Sequence, residues 1–331
     1  MIAFLPNKEM VPLIEALAGR LEVIAPVLSG GQPVFATWNG QELALDAENP
    51  LSSPLEFLLP SREALFRYVQ LSGRYTFEEP LVSARLIFGI RPCDLFAVEV
   101  LDRIMTEEPC DQAYLGRRRS TVLVALNCTR PGSECTCAQM GSGPGCVAGF
   151  DLAMTPLGDG YLVESGSPAG VLILREHPEF FREARDEEIE MKGALLNESR
   201  EQMIMTRPDL SLQSMQEAIR AADWERLGDR CLRCGGCSFI CPTCHCFNVL
   251  DQGVPDGERV RCADSCILSG FSRMTSGANP RATQGERLAN WYRDKFIYMP
   301  EKTGLPGCVG CGRCHRVCLA RFDRRKLEAL L

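Results

Sequence analysis

The chain has 331 residues, enough for two or three domains, and at 45% hydrophobic and 24% charged residues it has the composition of a globular protein with a sizeable core. A formal net charge of −7 with no dominant basic stripe argues against a nucleic-acid partner. No run approaches the roughly 18 apolar residues of a membrane-spanning helix, and no basic segment precedes the opening apolar stretch, which Pro6 cuts short; a cytoplasmic protein without an export signal is expected.

Residues 1–205 alternate helix and strand signals. Positions 8–21 place Met10, Val11, Leu13, Ile14 and Leu17 at helical spacing. Strands are expected at 21–26, 33–38 and 42–46, with Gly30-Gly31 and Asn39-Gly40 as turns, and Asn39-Gly40 between two such runs predicts a hairpin. Residues 61–71 read as a helix with Ser61 as N-cap and Glu63 in the first turn. The runs 85–91 and 121–127 are short and continuously apolar, as buried central strands are, and 94–105 between them fits a helix capped by Asp94. Late strands are expected at 161–164 and 171–174. This half is expected to be an α+β or α/β domain. Charge-dense residues 178–207 predict a solvated helix leading to a second domain, 206–331, expected to be mainly α-helical and ferredoxin-like, with helices at 211–224 and 287–298 and no clear strand.

Eighteen cysteines decide the class of chemistry. None occurs before Cys93 and twelve follow residue 230, in a chain too long for a small disulfide scaffold; only three histidines are present, which disfavours His-rich zinc sites. Cys231, Cys234, Cys237 and Cys241 follow the spacing C-x2-C-x2-C-x3-C, with Pro242 next; Cys308, Cys311, Cys314 and Cys318 repeat it, with Leu319 in place of the proline. Three thiolates two residues apart wrap one cubane, and the fourth reaches the cluster of the other run. The predicted sets are therefore Cys231, Cys234, Cys237 and Cys318 for one [4Fe–4S] cluster, and Cys308, Cys311, Cys314 and Cys241 for another. A pair of zinc ribbons is the competing reading, but each ribbon needs two C-x2-C pairs per metal. Upstream, Cys93 and Cys128 each follow a predicted central strand, where open sheets assemble ligand sites. With Cys135 and Cys137 they make either a third [4Fe–4S] site or buried thiols. Cys244, Cys246, Cys262 and Cys266 make either a further site or packing around the clusters, and Cys110 and Cys146 are unassigned. His245 and His315 read as neighbours of ligands, and Met140, Met203 and Met205 as apolar fillers.

The sequence resembles the beta subunits of soluble NAD(P)-linked hydrogenases (sulfhydrogenases) and the corresponding iron–sulfur subunits of anaerobic sulfite reductases. The residues that carry the likeness are Arg91-Pro-Cys-Asp-Leu95, Cys135-Thr-Cys-Ala-Gln-Met-Gly-Ser-Gly-Pro144, Gly149-Phe-Asp-Leu152, Cys241-Pro-Thr-Cys-His-Cys-Phe247 and Cys308-Val-Gly-Cys-Gly-Arg-Cys314. The likeness runs from about residue 20 onward. It departs at Ala263, where the family commonly carries an aromatic residue three positions before the cysteine matching Cys266. The resemblance implies an electron-transfer subunit of an anaerobic complex. Its place would lie between a catalytic subunit, such as a hydrogenase or sulfite reductase, and a reductase subunit that binds flavin and NAD(P). The resemblance also implies a third cluster on Cys93, Cys128, Cys135 and Cys137. Two other functions compete. A self-contained iron–sulfur reductase would need a phosphate-cradling loop, and neither a G-x-G-x-x-G after a strand nor a Walker motif is present, so no flavin or nicotinamide bound by this chain and no catalytic site of its own are expected. A redox-sensing regulator would bring a basic DNA-binding helix pair, which is not visible.

Overall fold

The computed structural model describes residues 1–320. In chain order the first half contains β1 (Ile2–Pro6), α1 (Met10–Ala18), β2 (Glu22–Ser29), β3 (Gln32–Thr37), β4 (Arg62–Leu71), β5 (Arg74–Glu78), β6 (Arg85–Ile90), α2 (Pro92–Met105), α3 (Gln112–Arg119), β7 (Thr121–Leu126), α4 (Cys137–Met140), β8 (Leu152–Pro156), β9 (Gly160–Ser165), α5 (Pro168–Glu176) and β10 (Arg182–Glu183). The solvated helix α6 (Asp186–Thr206) follows, then α7 (Leu212–Ala221), α8 (Trp224–Asp229), α9 (Gly236–Phe239), β11 (Phe247–Gln252), β12 (Gly257–Ala263), α10 (Gln284–Arg293), α11 (Met299–Thr303) and α12 (Arg313–Arg316).

Eight strands form one sheet in the order β10-β1-β9-β8-β7-β6-β2-β3. Its centre, β8-β7-β6-β2, is parallel, and antiparallel strands close both flanks. The apolar runs of β6 and β7 have the alternation that a two-sided sheet demands. Leu86, Phe88, Val124 and Leu126 enter one core with Leu13, Ile14 and Leu17 of α1. Ile87, Leu123 and Ala125 enter the other with Val98 and Leu101 of α2. At about 25 cal/mol per Å² of apolar surface removed from water, each such side chain stabilises the sheet by roughly 1.5–3 kcal/mol.

Several expectations are corrected. Residues 62–71 form strand β4, not a helix. Arg-Glu-Ala-Leu-Phe is helix-prone alone, but Ser72 and Gly73, at φ 50° and 78°, make a tight two-residue turn into β5, and β12 pairs along β4 from Arg62 to Tyr68. Glu63, far from capping a helix, is buried between Arg261 (2.5 Å) and Arg117 (2.7 Å). Residues 171–174 lie in α5, started by the Ser167 side chain accepting from the Gly170 N–H; Ile173 and Leu174 are buried while Leu172 faces water, a one-sided helix. The first hairpin turns at Gly30-Gly31, and the segment after Asn39-Gly40 contributes one bridge, Leu43 to Val27. Helix α2 begins at Pro92, with Arg91 as N-cap, which leaves Asp94 buried in its first turn. The C-terminal part is not mainly helical. Hairpin β11–β12 joins β4 and β5 in a second, antiparallel sheet, β11-β12-β4-β5, so strand pairing crosses the 205/206 boundary.

Candidate metal centres

Cys93 stands in the first turn of α2, just past the carboxyl end of β6; Cys128 follows β7, and Cys137 opens α4. The parallel centre of the sheet therefore delivers two cysteines to the end where such sheets gather ligands. Cys93, Cys128, Cys135 and Cys137 line one cavity, together with Asn49, Arg91 and Met203. Burial pushes all four thiols up, Cys135 to about 11, and neighbouring thiols add to the rise at Cys135 and Cys137. Arg91, hydrogen-bonded to Cys128, and Arg313, facing Cys93, oppose it. Four thiols whose joint ionisation is resisted by burial and mutual repulsion fit a cationic iron–sulfur core, which removes both penalties. Cys146 lies beside Cys128 yet outside the lining, and Cys110 accepts from the Gln112 amide.

The two cysteine runs share one backbone shape. Arg233 and Gly310 have φ 60° and 63°, Gly235 and Gly312 have φ 71° and 75°, and the latter two start the short helices α9 and α12. Cys231, Cys234 and Cys318 line one cavity, and Cys237 is buried in the same apolar core. Cys241 is instead a neighbour of Cys308 and Cys311. The chain thus brings each run's last cysteine to the other run. The hydrogen bond with Cys244 holds the Cys241 thiol down, with buried Lys295 adding to it. Among the described residues no three His, Cys, Asp or Glu side chains converge closely enough to hold a single ion; the sets are more widely spread than a one-ion shell.

The second run and the upstream set meet directly. The Thr136 N–H donates to the Gly310 carbonyl (2.8 Å) and the Ser142 hydroxyl to the Val309 carbonyl (2.7 Å). A Cβ on Gly310 would lie 2.5 Å from the Thr136 backbone, and one on Gly312 2.6 Å from that of Glu134. Asn49 Nδ2 donates to the Cys311 carbonyl (3.3 Å) and to Cys93 Sγ (3.9 Å). Arg313, wholly buried, grips Asp94 with two bonds of 2.6 and 2.7 Å and also donates to the carbonyl of Pro50 and to Asn49 Oδ1. His315 is bonded to Glu134 (2.6 Å), consistent with a supporting role. Asn49, Glu134 and Arg313 were not singled out from sequence, and Asp94 only as a helix cap. The available signal was a charge of opposite sign beside a cysteine in each motif, Cys93-Asp94 and Arg313-Cys314.

Of the remaining cysteines, Cys244 touches Cys241, and Cys246 touches Cys266; Cys262 sits on β12 opposite Asn248 and Arg62. Met203 is a filler that packs on a ligand candidate, 3.3 Å from Cys137 Sγ, and Met140 is buried, but Met205 is exposed.

Residues 230–322 match the family model of the 4Fe-4S dicluster domain. Over 297 residues the chain is 29% identical to the sulfhydrogenase 2 subunit beta of Pyrococcus furiosus, an alignment that covers 86% of this chain and 84% of that protein. No helix among the described residues is long and apolar enough to cross a membrane. The cysteine runs and the match over residues 230–322 agree, and the chain is an iron–sulfur electron-transfer protein similar to the sulfhydrogenase 2 subunit beta.

Proposed function

We propose that this chain is a three-cluster relay, a subunit that passes single electrons between a flavin- and NAD(P)-binding partner and a catalytic oxidoreductase subunit in the cytoplasm. The observation that carries the reading is that each of the three cysteine sets touches the next. Cys241 and Cys318 tie the first two sets together, and the Gly310–Thr136 contact ties the second to the upstream set. A [4Fe–4S] cluster supplies one-electron chemistry at a potential set by burial and hydrogen bonds. The protein's residues hold and insulate: Cys237, Cys311, Cys93 and Cys137 are buried, whereas Cys234 is exposed, which gives the first set its access to a partner. Since clusters take no hydride, a flavin partner must split the electron pair of NAD(P)H.

The test is anaerobic reconstitution of the full chain. Three four-iron centres predict about 12 irons and 12 sulfides per chain, falling to about 8 in Cys137→Ala with Cys110→Ala unchanged. A wild-type content near 8 that Cys137→Ala does not alter would remove the upstream centre. NAD(P)H-dependent dye reduction by flavin-free protein would remove the relay.

A further inference from the structure

Beside the cysteine runs lies a cavity of about 190 Å³ lined by Cys244, His245, Cys246, Arg261 and Asp264, with Cys241 in its wall. Cys246 immediately precedes β11, and Cys266 follows β12 by three residues, so the base of the hairpin sets them side by side. The Asp264 N–H donates to the Cys246 carbonyl (2.9 Å), and the two thiols are hydrogen-bonded to each other. Cys246 is half-buried and faces the cavity; Cys266 is 6% exposed and lies behind it. Lys295, 1% exposed, holds its ammonium on the Thr243 hydroxyl (3.0 Å), with Cys246 among the sulfurs around it. A fixed cation among thiols is the setting in which a thiolate persists as a nucleophile.

We propose that Cys246 and Cys266 form a redox-active dithiol that reduces a small organic disulfide bound in this cavity. The Cys246 thiolate attacks one sulfur of the disulfide, forming a mixed disulfide and releasing one thiolate. Cys266, losing its proton, attacks the Cys246 sulfur, closes the Cys246–Cys266 bond and releases the second thiolate. Two protons, one from each cysteine, complete the two product thiols, and the electron pair has moved from the dithiol to the substrate. Two electrons from a one-electron donor and two protons then restore the dithiol. The cavity's size limits the substrate to a small molecule. The exchange stands independently of the relay; only the renewal of the dithiol rests on it.

The experiment uses the holoprotein under anaerobic conditions with one equivalent of 2-hydroxyethyl disulfide, quenched by iodoacetamide and mapped by peptide mass. The expected product is a peptide pair joined through Cys246 and Cys266, with the iron content unchanged. In Cys266→Ser the expected product is a hydroxyethyl mixed disulfide on Cys246, and in Cys246→Ser the rate of thiol release should drop at least tenfold. Cys110→Ser and Cys262→Ser should behave as wild type. Wild-type protein with Cys246 and Cys266 both alkylated and unjoined, or a mixed disulfide on Cys244 instead, overturns the proposal, whatever the iron content shows about the relay.

Discussion

Arg313 is a full charge with no exposure to solvent, and it is tolerable only because Asp94, the Pro50 carbonyl and the Asn49 amide oxygen take its donors. Breaking one side of such a pair leaves the other charge stranded, a loss of about 3–5 kcal/mol. Arg313→Gln should therefore lower the denaturation midpoint sharply and release iron from both sets that the pair joins, as followed by chemical unfolding and iron analysis. The cysteine spacing announces candidate ligands because ligand geometry is local. The ion pair is 219 residues long in sequence, and nothing local to either partner names the other. Glu188 offers a milder charge test. Its carboxylate is held by Arg182 and Arg185 at about 2, with Arg182 foremost. A folded value below the unfolded one, about 4.3, means stabilisation present above that pH and lost as pH falls toward 2. Glu188→Gln should flatten the decline of stability between pH 5 and pH 2, measured by urea melts; an unchanged slope would mean that this cluster does not contribute.

At the scale of elements, the matched turns of the two cysteine runs explain why one carries glycine and the other arginine at the same backbone conformation. At 233 the side chain is exposed and costs only the strain of a positive φ; at 310 the backbone of Thr136 occupies the place of a Cβ. Gly310→Ala should cost iron at both the second run and the upstream set, while Arg233→Gly and Gly270→Ala, the latter with open space around it, should load normally. The exchanged last cysteines make a second element-level prediction. Cys241→Ser should impair the centre on Cys308, Cys311 and Cys314 and spare that on Cys231, Cys234 and Cys237, as resolved by paramagnetic resonance; the reverse pattern would refute the exchange. The same scale shows where sequence reading failed. The parallel strands β6 and β7 were legible because burial on both faces leaves an unbroken apolar run. β4 was not, because its strand character comes from pairing with β12 some 190 residues later and its helix propensity is real.

For the whole molecule, the class of the first half and the ligand runs could be read from sequence, but their interlocking could not. The second sheet takes two strands from each half, and the apolar core that holds Cys93 and Cys137 also holds Cys311. Reconstitution of either half alone is accordingly expected to give less than its share of iron.

The joining of Gly310, Gly312 and Arg313 to residues 49, 94 and 134–137 also has a consequence in time. On the ribosome the first half emerges early and begins to fold as soon as its strands are out. The loop that carries Cys135 and Cys137 nonetheless lacks its packing partners until residues 309–312 have been synthesised, and the run at 231–237 waits for Cys318 as well. On the proposed three-cluster reading, loading with iron and sulfide is therefore expected to be a late, joint event rather than a progressive one. Nascent chains arrested before residue 308 should leave their cysteines open to alkylating reagents, and released full-length chains should not.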